Sequence, residues 1–144
     1  MSKILISLFL IFSVLNGAEK SNWTHTHVYS LKKDKTATIG FATSESKGAD
    51  KSSLFFRWTT IVGDRVTVLL NQNGYPHQYI LYKKRGLDRV KFSILPDGSS
   101  RIDEISYLLL VLSNINKAKQ EVDFDIFIKD DKNRIMINFN KEAD

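Results

Sequence analysis

The sequence predicts an all-β fold, an antiparallel β-sandwich of eight or nine strands, immunoglobulin-like in architecture. Two observations predict it. Apolar and polar residues alternate along most of the chain, the period of two that half-buried strands show. The alternating runs are short, rich in β-branched and aromatic residues, and separated by turn residues such as Asn73-Gly74. Cysteine is absent, so no disulfide can staple the fold and a packed core must hold it.

The chain opens on a different pattern. Met1-Ser2-Lys3 precedes an apolar run from Ile4 to Leu15, and Gly17-Ala18 follows it. One cation, an apolar stretch and small residues are the parts of a secretory signal peptide. The run is shorter than the roughly 20 residues that cross a bilayer, so residues 1–18 are expected to be removed and the protein to work in the periplasm, with no stable membrane insertion afterwards. Cleavage is expected after Gly17 or Ala18. Residues 19–144 then form a single domain of a size that buries a useful core.

Within that domain, alternation from Trp23 puts Trp23, His25, His27 and Tyr29 on one face. Ala37, Ile39 and Phe41 share a face in the next strand. Thr43 to Ser53 is polar, contains Gly48 and holds no large apolar residue, which reads as a surface loop. Leu54, Phe56, Trp58 and Val62 line one side of the strand that follows. Asn73-Gly74 favours a two-residue hairpin turn, and pairing outward from it sets Leu70 against His77, Val68 against Tyr79 and Val66 against Leu81. Pro76 falls at the start of a strand, where its missing N–H is tolerated. The Gly63-Asp64 turn fits best as a three-residue loop that aligns Trp58 with Leu70.

Two segments near the C-terminus complete the count. Tyr107 to Leu112 is an unbroken apolar run, as in a strand buried on both faces. Ser100 with Asp103, followed by Ile102, Ile105, Leu109 and Leu112 at near-helical spacing, offers the alternative: an α+β fold with one helix near 100–113. The surrounding strands favour a strand from about 106 to 113. A second hairpin is expected about Asp130-Asp131-Lys132-Asn133, pairing Ile128 with Ile135, Ile126 with Ile137, and Phe124 with Phe139, with Phe127 opposite Met136 on the outer face.

Charge narrows the function classes. The chain carries +5, unevenly: residues 19–96 hold 13 Lys/Arg against 6 Asp/Glu, whereas residues 97–144 hold 7 against 10. Lys32, Lys33 and Lys35 form one cationic cluster, and Lys83, Lys84, Arg85, Arg89 and Lys91 a second. For an exported protein the anions within reach are lipid head groups, phosphorylated sugars, acidic glycans or an acidic envelope protein rather than nucleic acid. Tyr82 beside the second cluster makes Tyr82, Lys83, Lys84, Arg85, Arg89 and Lys91 the predicted ligand-binding residues.

Catalytic chemistry has few candidates. There is no Cys, only three His, and no nucleophile elbow, zinc-protease helix or phosphate-binding Gly loop. The expectation is a non-catalytic binding protein with no cofactor. His25 and His27, two apart on a strand, point to the same side and form the one candidate metal pair, although zinc sites take three or four protein ligands. Glu121, Asp123 and Asp125 alternate with apolar residues, the pattern of a solvated strand face.

Overall fold

A computed structural model describes residues 22–43, 51–94 and 106–141. The expected signal peptide, residues 1–18, lies outside these, as do the middle of the polar loop (44–50) and residues 95–105. Nine strands make up the described residues: β1 His25–Lys32, β2 Ala37–Thr43, β3 Lys51–Val62, β4 Arg65–Gln72, β5 Tyr75–Tyr82, β6 Arg89–Ser93, β7 Tyr107–Asn116, β8 Glu121–Lys129 and β9 Ile135–Lys141. They form two antiparallel sheets, one in the order β1-β8-β7-β6 and the other β5-β4-β3-β2-β9. The architecture is the expected sandwich. The chain runs through it as two meanders, β2 to β5 and β6 to β8, joined by the long-range pairs β1–β8 and β2–β9. The apolar run at 107–112 is part of a strand, so the helical alternative fails for the described residues.

The core lies between the sheets. Leu54, Phe56 and Trp58 of β3 and Val66, Val68 and Leu70 of β4 meet Leu108, Leu110 and Leu112 of β7 and Phe124, Ile126 and Ile128 of β8, all buried. Aromatic edges set the stacking of the layers: Tyr29 on Phe56 at 5.5 Å, Phe56 on Phe124 at 5.5 Å, and Tyr79 on Phe92 at 5.8 Å. Edge-to-face contacts of this kind stabilise beyond the area they bury. β1 therefore overlies the β2–β9 side of the other sheet, and β6 overlies β5.

The Asn73-Gly74 turn is as predicted. Both residues have positive φ, 52° and 89°, and the pairs Leu70–His77, Val68–Tyr79 and Val66–Leu81 follow in register. The Gly63-Asp64 turn differs from expectation. It is a two-residue turn closed by Val62–Arg65, and a bulge between Trp58 and Thr60 then brings Trp58 opposite Val68. One extra residue on the bulged strand keeps Trp58 inward while turning Ile61, not Val62, toward the core. Val62 is consequently 50% exposed. The polar loop is also shorter than expected, because Thr43 ends β2 and β3 begins at Lys51.

The expected hairpin between β8 and β9 does not form. The turn exists, closed by Asn133 N–H to the Asp130 carbonyl at 3.0 Å, but it carries the chain from one sheet to the other. Both edges of β8 are taken by β1 and β7, so β9 completes the free edge of β2 instead. The alternation of β9 survives: Ile135 is buried, and Ile137 and Phe139 pack against the core. Phe127 and Met136 thus belong to different sheets and do not oppose one another. Asp130 anchors the crossover. Its buried carboxylate accepts from Ser106 Oγ at 3.0 Å and from Ile135 N–H at 2.8 Å, and its own N–H donates to Thr24 Oγ1 at 2.8 Å.

Candidate functional site: the basic end of the sandwich

Antiparallel pairing sends four connections to one end of the molecule. The β1–β2 turn arrives there because Lys32 pairs with Glu121, beside the β7–β8 turn. Trp58 ties this turn to β3 twice: its indole N–H donates to the Leu31 carbonyl at 2.7 Å, and its own carbonyl accepts from Asp34 N–H at 3.0 Å. The β3–β4 turn lies alongside, and Lys83 N–H reaches its Asp64 carbonyl at 2.7 Å, bringing in the β5–β6 connection. Residues 32–35, 63–65, 83–89 and 117–121 together hold ten Lys/Arg and four Asp/Glu. That excess of six exceeds the +5 of the entire chain. Lys33, Lys83, Lys84, Arg85, Lys117 and Lys119 are all exposed.

The β5–β6 connection is ordered by its own hydrogen bonds. Tyr82 N–H donates to the Leu87 carbonyl at 2.9 Å, and Leu87 N–H to the Lys84 carbonyl at 2.9 Å. Gly86 takes φ +85° and donates to Asp88 Oδ1 at 3.1 Å. The same carboxylate grips Arg89 with two bonds, Nε at 2.8 Å and Nη2 at 3.2 Å. The hydrogen bonds from Arg89 pull the Asp88 carboxyl below its ordinary range and push the guanidinium higher in turn. The charge of Arg89 is therefore matched locally.

The six predicted ligand-binding residues separate into four groups. Lys83, Lys84 and Arg85 sit together at the basic end. Arg89 is held by Asp88. Lys91 points to the outer face of the four-stranded sheet, its Nζ 3.8 Å from the Tyr107 ring centre. Tyr82 faces outward on the other sheet, opposite Arg65. Residues two apart on a strand share a side, so Arg89 and Lys91 both face outward from β6, and Lys91 is set apart from Lys83 to Arg85 by lying within the strand and not in the connection before it.

A cleft of about 310 Å³ opens at the centre of this end. Lys33, Thr59, Thr60, Gly63, Lys117 and Gln120 contribute to its walls. Sequence reading missed its core, because nothing in Trp58-Thr59-Thr60 signals a bulge and the two lysines are 84 positions apart. Two acceptors hold the β7–β8 turn: Asn116 Oδ1 takes Lys119 N–H at 3.0 Å, and the Lys117 carbonyl takes both the side-chain and backbone N–H of Gln120, at 2.8 and 3.3 Å.

The histidine pair is differently placed. His25 and His27 share one side of β1, but His27 lies flat on Phe139 at 4.4 Å, 10° from parallel, with its edge to Tyr29. Burial lowers its pKa, favouring the neutral ring. His77 is on β5, the far lateral edge of the sandwich. Among the described residues no group of three or more His, Cys, Asp or Glu comes together as a metal site. Trp23 does not share the face of His25 as alternation suggests. It precedes β1 and packs on the outer face of the four-stranded sheet, 5.7 Å from Tyr107 and 5.3 Å from Phe127. The acidic stripe lies on that outer face too, where Asp123 accepts from Ser30 Oγ at 2.6 Å and Asn114 Nδ2 at 3.1 Å, tying three strands together.

Comparison with protein-family models, curated proteins and solved structures returned no match.

Proposed function

We propose that this protein is an exported, non-catalytic β-sandwich of the periplasm that binds an envelope protein, an anionic glycan or a lipid head group through its basic end. The observation that carries the reading is the convergence of four connections bearing ten cations and four carboxylates on one end of the fold. Exposed charge of one sign on a rigid frame attracts polyanions and speeds encounter, and its effect weakens as salt screens it. Export is supported by the composition of residues 1–18.

Binding to an immobilised acidic glycan, such as heparin, tests the proposal. The protein is expected to be retained at low salt and released as ionic strength rises. Lys83→Glu, Lys84→Glu and Arg85→Glu together should weaken retention by at least about tenfold, the equivalent of roughly 1.4 kcal/mol. Unchanged retention of that triple variant would reject the basic end as the binding surface.

A further inference from the structure

We infer that the cleft at the β3 bulge seats a phosphate monoester, so that the basic end recognises a phosphorylated ligand and does not merely attract negative charge. This rests on the reading of that end given above. The lining supplies two ammonium groups from different connections, Lys33 of the β1–β2 crossover and Lys117 of the β7–β8 turn, together with the hydroxyl-bearing residues Thr59 and Thr60 and the amide of Gln120. No Asp or Glu is among the lining residues. A tetrahedral phosphate offers several oxygens to donors arriving from different directions, and lysine serves it as a point charge. A planar carboxylate is matched best by the fork of an arginine, and no arginine lines this cleft. At about 310 Å³, the volume falls at the small end of the range for ligand pockets, roughly 300–1,000 Å³.

Hydrogen bonds hold the backbone on either side of the cleft. Lys33 lies between Leu31 and Asp34, the two residues hydrogen-bonded to Trp58. Gln120 holds φ +50°, a conformation that Gly, Asn and Asp adopt far more readily than Gln. The other described non-glycine residues with positive φ are Asp34, Asn73 and Asn133. A glutamine in that backbone state keeps a long amide at the cleft, and its Nε2 has a second hydrogen to donate beyond the one given to the Lys117 carbonyl.

The test is an amide NMR titration of the purified protein with inorganic phosphate, then with glucose 6-phosphate and with phosphatidylcholine vesicles containing phosphatidic acid. Saturable shifts are expected at Lys33, Thr59 to Gly63 and Lys117 to Gln120. Lys33→Gln with Lys117→Gln should weaken phosphate binding about tenfold or more, and Lys129→Gln with Lys132→Gln, at the opposite end of the sandwich, should leave it within about twofold. A response to glucose 6-phosphate alone assigns a soluble ester, and a response to the vesicles alone assigns a lipid head group. Absence of shifts at the cleft, or equal losses in both double variants, overturns the inference. If heparin retention persists in that case, only the cleft assignment fails. If retention is lost as well, the reading of the whole end fails with it.

Discussion

Tyr29 shows how one side chain joins the two layers. It stands on an edge strand of one sheet, is 2% exposed, and donates its hydroxyl to the Thr38 carbonyl of the other sheet at 3.0 Å. Burial raises its pKa from 10.0 to about 12, against a smaller opposing pull from the Asn140 N–H. The folded state thus favours the neutral phenol. An unfolded chain ionises this group near pH 10, so its contribution to stability is complete below pH 10 and is lost as pH rises toward 12. Tyr29→Phe removes the hydrogen bond, which costs about 1 kcal/mol at neutral pH, and also removes the alkaline loss. Urea unfolding of the two proteins should show their stability gap narrowing between pH 10 and 12. A gap that stays constant across that window would mean the phenol is not buried as described. Alternation put Tyr29 on one face with His25 and His27 but did not mark that face as the buried one. Its partner was not legible either, because a period of two assigns a face and leaves the neighbour across the core unspecified. For the same reason His25 and His27 read as a pair, while the flat contact of His27 on Phe139 comes from a strand more than 100 positions later.

At the level of elements, the β3 bulge and the β8–β9 crossover carry the information that pattern reading lacked. The hairpin about Asn73-Gly74 was readable because a two-residue turn and an apolar face specify the same register. At a regular two-residue Gly63-Asp64 loop Trp58 would oppose Leu69 and leave the inward face of Val66, Val68 and Leu70, and the bulge resolves the conflict. Likewise, Ile135, Ile137 and Phe139 face inward whether β9 pairs with β8 or with β2, so pattern alone could not choose. The occupied edges of β8 decide it. Deleting Thr59 is a direct check on this element. With the extra residue gone, Trp58 opposite Val68 and Thr60 opposite Thr67 become successive regular pairs, and both Trp58 and Ile61 stay inward. The deletion should cost no more than about 2 kcal/mol, within the range for a single substitution, while abolishing phosphate-dependent shifts at Lys33 and Lys117. Global unfolding of the deletion variant, seen by circular dichroism, would show that the bulge is required for the core rather than for the cleft.

For the whole molecule, the sequence exposes two cationic clusters and conceals that they are neighbours. Lys32 to Lys35 and Lys83 to Arg85 lie at two separate crossovers between the sheets, and Lys117 and Lys119 fall in the half of the chain whose net charge is negative. Only antiparallel topology gathers them, because every second connection returns to the same end. Lys91, assigned by sequence proximity to the same cluster, lies within β6 on the outer face of the four-stranded sheet, away from the connection that holds Lys83 to Arg85. The central claim is that this end, and not the aromatic outer face around Trp23, Tyr107 and Phe127, is the surface that meets the ligand. The measurement that tests it most directly is hydrogen exchange of the protein with and without a heparin oligosaccharide at low salt. The account predicts slowed exchange in residues 32–35, 59–65, 83–88 and 117–121, reversed by added salt. Protection centred instead on Trp23, Tyr107 and Phe127, or none at any of these segments, would contradict it.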